Sequence, residues 1–227
     1  MASLIFDLEQ GWTKGLEIHF ANLKESVALD QNAHFSLKQT HSDRIVDWSP
    51  TVRSGILEGD AWMATGDAFK KNRRPLLIKT ADCMPLVYVD RENQNVILMH
   101  AGWRGLQQEL HLQPFRQGLC DPRYTWIWLG PCLNGVNFEV AEDMWSLFGE
   151  KSRNPRHFRK VKEFPDKRHF YAWDFIRDEF EGVGVELFYN VEVDTFADRS
   201  FVSWRRAKKA GVDKLKVQNF TTVSFLK

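Results

Sequence analysis

Pro85-Leu86-Val87-Tyr88-Val89-Asp90, Arg91-Glu92-Asn93-Gln94-Asn95 and Val96-Ile97-Leu98-Met99-His100 follow one another without a break. The first and last are apolar, β-branched runs, and they read as strands. The polar stretch from Asp90 to Asn95 reads as the turn of a hairpin between them. Working outward, similar short runs occur at Leu16–Phe20, Ala33–Lys38, Arg44–Trp48, Pro75–Lys79 and Tyr124–Leu129. Strands are expected again at Val185–Val193, Phe201–Trp204 and Val217–Phe225. Helical patterns are fewer. One starts at Gly105–Gln113, where Pro114 should end or bend it. Another covers Ala141–Phe148. A third covers Tyr171–Glu181, with Trp173, Ile176 and Phe180 near one face and Gly182 and Gly184 as its stop. Strands and helices mix without strict alternation. The expected class is α+β, a single domain over residues 1–227 of mixed β-sheets flanked by helices.

Composition supports a packed core. The 227 residues are 43% hydrophobic and 27% charged, with 17 Phe and nine Trp. Area scaling gives a compact surface of roughly 11,000 Å², about 70% of the unfolded surface being buried. The net charge of +1 argues against nucleic acid as a partner. No apolar run reaches the roughly 18 residues of a membrane helix, and the first residues lack a basic signal-peptide start. Three cysteines, Cys83, Cys120 and Cys132, do not make a disulfide framework; they suit a cytoplasmic location. One segment breaks the charge balance: Lys151 to Arg168 carries eight basic and two acidic residues. It reads as a solvated loop or as a rim that attracts an anionic substrate.

Chemistry-bearing residues gather at expected strand ends. His41 ends an extended run, Cys83 lies between two strands in Thr80-Ala81-Asp82-Cys83-Met84-Pro85, and His100 opens His100-Ala101-Gly102-Trp103-Arg104-Gly105. Two imidazoles and a thiolate can hold a tetrahedral metal with one position open, the form of a catalytic zinc site. The same trio could be a Cys nucleophile with a His base. The separations of 42 and 17 residues do not choose between them. Gly102 and Gly105 allow close backbone approach beside a helix start, and Arg104 could fork onto phosphate or carboxylate. Asp82 is either an acid/base, an orienter of a His ligand or a turn cap. Cys132, at the Gly130-Pro131-Cys132 corner, reads as a small buried hydrophobe.

Together these stretches resemble the laccase-domain family, also called the multicopper polyphenol oxidase or purine nucleoside phosphorylase family. The resemblance rests on Gln39-Thr40-His41, Gly59-Asp60-Ala61, the Thr80–Pro85 and His100–Gly105 strings, Gly130-Pro131-Cys132 with Phe138-Glu139-Val140, Phe170 to Asp174, and Phe201-Val202-Ser203-Trp204-Arg205-Arg206. It runs in order from about residue 38 to 206. It departs at Ser42, where members commonly have Gly, and at Ala207–Val212, where an Asp-Gly and a Thr-Gly-Arg turn are usual.

The resemblance implies an α+β fold similar to a toxin deamidase domain, and metal ligands at His41, Cys83 and His100. It implies phosphorolysis of adenosine, inosine, guanosine and methylthioadenosine, with adenosine deamination, in a cytoplasmic monomer or small homo-oligomer. His41, Cys83, His100 and Asp82 are then the candidate catalytic residues. Arg104, Arg205, Arg206 and, more weakly, Arg44 are the candidate cradle for phosphate. Zinc is the expected cofactor, and copper competes for such ligands. Seven histidines, two of them in the signature stretches, do not supply a multicopper cluster, so copper-dependent polyphenol oxidation is an alternative. The others are a Cys-His amide hydrolase and a non-enzymatic binding module.

Overall fold

A computed structural model of the chain describes residues 3–72, 74–148 and 154–225. Its strands are β1 (Leu4–Leu8), β2 (Leu16–Ala21), β3 (Phe35–Ser36), β4 (Ile45–Asp47), β5 (Ala61–Thr65), β6 (Leu76–Thr80), β7 (Met84–Asp90), β8 (Asn95–Ala101), β9 (Thr125–Leu129), β10 (Glu139–Ala141), β11 (Phe158–Val161), β12 (Phe164–Phe170), β13 (Leu187–Asn190) and β14 (Asn219–Phe225). Its α-helices are α1 (Leu23–Ala28), α2 (Gly66–Lys71), α3 (Trp103–Gln107), α4 (Gln113–Arg116), α5 (Glu142–Leu147), α6 (Ala172–Val183) and α7 (Trp204–Lys209). The class is α+β. No helix among the described residues is long and apolar enough to cross a membrane.

The β7–β8 hairpin is the centre. Asp90 makes its turn: its carboxylate accepts from the backbone N–H of Glu92 at 2.8 Å and of Asn93 at 2.9 Å, the self-bonding that suits Asp to turns. The hairpin lies inside a six-stranded sheet ordered β13-β9-β7-β8-β5-β4. Every residue of β7 is buried because both faces of this sheet are covered, which is why its sequence is continuously apolar rather than alternating.

Val87, Val89, Val96, Leu98 and Trp62 point to one face. There they pack on Leu16, Ile18, Phe20, Leu76, Ile78 and Val223 of the five-stranded sheet β1-β2-β14-β6-β3. Leu86, Tyr88, Ile97 and Met99 point to the other face. There they meet Phe175, Ile176 and Phe180 of α6, with Phe158 and Phe170 of the three-stranded sheet β10-β12-β11. Gly184, at φ 79°, ends α6 in the left-handed conformation glycine adopts without strain.

Several elements differ from expectation for identifiable reasons. Phe201–Trp204 is not a strand. Ser203 accepts from the Arg206 N–H at 3.1 Å and caps α7, so Trp204 opens a helix. The helix expected over Gly105–Gln113 is broken after α3, where Glu109 turns to φ 58°. Pro114 falls in the first turn of α4, a position that tolerates its missing N–H; it starts a helix instead of ending one. Gly182 lies within α6. Only Phe35–Ser36 of the run Ala33–Lys38 is strand.

The basic segment, of which residues 151–153 lie outside the described residues, is largely the β11–β12 hairpin. Arg156 pairs with Asp178, Arg159 with Asp174, Lys167 with Glu139 and Arg168 with Glu142. Half of its eight basic residues are thus paired with carboxylates, on a hairpin rather than an irregular loop.

Gly130, just after β9, lies tightly against Phe20 of the other large sheet. A Cβ there would sit 2.3 Å from the Phe20 ring and 2.8 Å from Pro85. Gly130→Ala should therefore cost about 1–3 kcal/mol of stability, read as a fall of roughly 2–4 °C in thermal midpoint for each kcal/mol. A midpoint equal to wild type would contradict this packing.

Candidate metal centre

Two loops and the end of one strand bring His41, Cys83 and His100 together. Their ligand atoms lie within 4.8 Å of one another. Cys83 sits in the turn from β6 to β7, His100 is near the end of β8, and His41 follows β3 in an irregular loop. The loop is held by Gln39. Its amide accepts from the Lys79 N–H and donates to the Lys79 carbonyl, both at 2.8 Å, in place of the strand neighbour that β3 is too short to provide.

Asp60 organises the two histidines. It is fully buried, and its carboxylate accepts from the N–H groups of Thr40 at 3.2 Å, His41 at 3.1 Å and Ser42 at 2.6 Å. It also accepts from the Ser42 hydroxyl at 2.7 Å and from His100 Nδ1 at 2.8 Å. Drawing three successive N–H groups onto one carboxylate accompanies the left-handed backbone of His41, φ 59°. That conformation costs about 1–3 kcal/mol and persists only when its surroundings over-determine it. Ser42, where glycine is usual, adds a hydroxyl donor to this network. The Nδ1 contact leaves His100 Nε2 facing the thiol. A carboxylate–imidazole pair of this kind fixes the tautomer of a metal-binding histidine.

The charges are mutually supporting. Burial opposes ionisation of Cys83, but His100 and His41 outweigh it and bring the thiol down to about 6. Burial likewise opposes charge on His100, and the Cys83 thiolate and Asp60 carboxylate lift it to about 9. For Asp60, burial works against ionisation and the bonds from His100 and Ser42 prevail, holding it at about 2. The other cysteines differ. Burial pushes Cys120 and Cys132 well up, and Cys132 takes a hydrogen bond from Trp173 Nε1 at 3.1 Å, a structural position.

Gly102 gives the site its space. A Cβ there would lie 2.9 Å from His41 Cδ2 and 3.3 Å from Cys83 Sγ. His100 is buried, Cys83 half-buried and His41 exposed, so the trio opens to one side. It opens onto a cleft of about 760 Å³ whose walls include Trp103, Arg104, Phe138, Trp204 and Arg205.

The expected site residues divide. His41, Cys83 and His100 converge. Asp82 reaches the cleft wall, but its carboxylate accepts from Thr195 Oγ1 at 2.7 Å and from the Arg205 N–H at 2.6 Å. It braces the Cys83 turn against α7 and does not orient a histidine; that task falls to Asp60, to which the sequence assigned no role. Arg104 and Arg205 line the cleft, with Arg205 also donating to the Glu139 carbonyl at 2.9 Å. Arg206 does not line it. Its guanidinium is spent on the carbonyls of Thr195, Phe196 and Phe201. Arg44 is exposed outside the cleft. After α7 the chain turns at Gly211, φ 76°, into a coil whose Asp213, Lys214, Leu215 and Gln218 complete the wall.

In metal-free protein, iodoacetamide should alkylate Cys83 with a midpoint near pH 6, while Cys120 and Cys132 react only on unfolding. Asp60→Asn should weaken metal affinity by about 10–100-fold, measured by competition with a chromogenic chelator, and Gly102→Ala should weaken it by crowding His41. Because Asp60 is held below its ordinary 3.8, its stabilisation is complete above that value and is lost as pH falls through about 2. The stability gap between wild type and Asp60→Asn should close over that interval in acid titration.

The donor set, two imidazole nitrogens and one thiolate with a fixed partner behind His100, suits zinc or copper. The profile of the multi-copper polyphenol oxidoreductase laccase family matches residues 16–213. The Escherichia coli protein named purine nucleoside phosphorylase YfiH is 27% identical over 135 residues, 59% of this chain and 55% of that protein. The Pseudomonas aeruginosa protein named purine nucleoside phosphorylase PA4543 is 29% identical over 178 residues, 77% of this chain and 69% of its own. The chain thus spans about half the length of the Escherichia coli relative. The fold is shared with protein NMB0706 of Neisseria meningitidis, at TM-score 0.76 and 19% identity over 100% of both chains. It is shared too with YlmD of Geobacillus stearothermophilus, at TM-score 0.68 and 18% identity over 90% of this chain and 78% of that one. With its three converging ligands inside the matched region, the chain belongs to the multi-copper polyphenol oxidoreductase laccase family.

Proposed function

We propose that the protein is a purine nucleoside phosphorylase that holds zinc on His41, Cys83 and His100. One observation carries this reading: the cleft that opens on the trio is lined by both aromatic rings and guanidinium groups. Trp103, Phe138 and Trp204 offer faces for a purine, and Arg104 and Arg205 offer forked donors for phosphate. Related proteins bear the same activity in their names.

In phosphorolysis a phosphate oxygen bonds to C1′ of the ribose as the bond from C1′ to the purine nitrogen breaks. The base leaves with a proton, giving a free purine and ribose 1-phosphate. Arg104 and Arg205 hold the anion against the sugar, and the aromatic walls exclude water and orient the ring. Inosine, adenosine, guanosine and methylthioadenosine are the proposed substrates. Zinc, when bound, supplies a polarised water, which suits hydrolytic removal of the adenosine 6-amino group as ammonia, a second proposed activity. Placement in the cytoplasm, as a monomer or small homo-oligomer, completes the proposal.

A Cys-His amide hydrolase is the second reading, favoured by the depressed Cys83 thiol beside His100. Copper-dependent polyphenol oxidation needs several copper sites. Among the described residues only His41, Cys83 and His100 form a group of three metal-capable side chains.

Zinc-loaded protein given inosine or adenosine should release base only with phosphate present, and a chelator should abolish the reaction. Arg104→Ala should raise the KM for phosphate by about 10–100-fold, the worth of a hydrogen bond to a charged group. Absence of both phosphate-dependent base release and deamination would overturn the proposal. Amide hydrolysis unaffected by chelator would install the second reading.

A further inference from the structure

One side chain in the cleft has no task in the chemistry above. Lys79 is the fourth residue of β6, an interior strand between β14 and β3. Leu76, Leu77, Ile78 and Thr80 around it are buried, and Lys79 is half-buried with its side chain in the cleft wall. Gln39 occupies both of its backbone polar groups. Among the described residues its ammonium makes no hydrogen bond and no ion pair. Burial pushes its pKa down, as expected when a cation is desolvated without an acceptor. An unsatisfied, partly desolvated ammonium on an interior strand is costly to the fold.

A second cation, this one exposed, lines the same cleft. Lys214 lies on the coil that leads from α7 into β14 and lines the cleft. It too has no acceptor among the described residues. β14 pairs directly with β6, Phe220 opposite Lys79, so both lysines belong to the β6–β14 side. Arg104 and Arg205 come from α3 and α7.

The cleft's acids do not neutralise the lysines. Asp82 is engaged by Thr195 and the Arg205 N–H, and Asp213 is bonded to Lys208 at 3.0 Å. In the proposed function the two arginines hold inorganic phosphate, which leaves two ammonium groups over. Compact ammonium charges without a planar fork suit a freely oriented phosphomonoester.

We infer that Lys79 and Lys214 form a second anion subsite, and that the preferred ligand is a purine nucleoside carrying its own phosphate, a nucleoside monophosphate. This rests on the nucleoside reading of the cleft and narrows it. No group of the phosphomonoester is transferred; it anchors the substrate while the reacting bond lies at the other end of the ribose.

The test is calorimetric titration of the zinc-loaded full chain with inosine and with inosine 5′-monophosphate, run alongside the base-release assay. Wild type should bind the monophosphate at least tenfold more tightly. Lys79→Gln and Lys214→Gln should each reduce that ratio several-fold, and the double variant should bring it near one. Lys79→Arg should keep most of the preference, and Lys162→Gln, on the exposed β11–β12 turn, should leave it unchanged. Thermal midpoints check that each variant is folded. Equal affinity for the two ligands in wild type, or a ratio that survives both lysine substitutions, overturns the subsite. Base release from inosine with equal affinities removes the subsite alone. A lysine-dependent preference without base release keeps the subsite and removes the phosphorylase reading.

Discussion

The site depends on one buried carboxylate. Asp60 joins the loop that carries His41 to the strand that carries His100, and it does so with six protein donors on two oxygens. A lone carboxylate in such a place would be too costly to keep ionised. Here the hydrogen bonds offset the desolvation and together hold the His41 loop and the His100 ring in place. The positive φ of His41 belongs to the same arrangement: the backbone is held off its relaxed conformation so that its N–H, with its neighbours', reaches the carboxylate. The fold and the chemistry share this anchor. Loss of Asp60 would loosen a loop, unpair a buried imidazole and change the thiol's electrostatics together.

The central sheet makes that anchor rigid. Both of its faces are covered, one by the second large sheet and one by α6 with the small three-stranded sheet. The strands that deliver Cys83 and His100 therefore have little freedom to shift, in keeping with the density of protein interiors. Asp82 extends the rigidity outward. By accepting from Thr195 and from the N–H of Arg205 it ties the Cys83 turn to α7, and so fixes Cys83 and Arg205 relative to each other.

Much of this was legible in the sequence wherever local pattern and final environment agree. The β7–β8 hairpin is apolar, β-branched and turned by Asp90, and α6 has a regular apolar face and a glycine stop. The convergence of His41, Cys83 and His100 followed from their ordered motifs. What escaped notice depends on distant contacts. β5, Ala61-Trp62-Met63-Ala64-Thr65, has weak strand propensity and is made a strand by pairing with β8. Asp60 looks like an ordinary turn acid until the strand brings His100 to it. Arg206 and the arginines of the β11–β12 hairpin resembled free cations, and only the folded chain shows the carbonyls and carboxylates that engage them. Pro114 and Ser203 were misjudged because one residue type can open an element or close it, depending on the turn it falls in.

The coil from Asp213 to Gln218 forms no backbone–backbone hydrogen bonds among the described residues, yet Asp213, Lys214, Leu215 and Gln218 line the cleft. The floor that carries Cys83 and His100 is bolted into sheets, while this wall is strung between α7 and β14. Its length and sequence can change without disturbing a ladder or the His41, Cys83 and His100 trio. Under the proposed function, the wall that would meet the ligand is thus separable from the residues that would carry the chemistry.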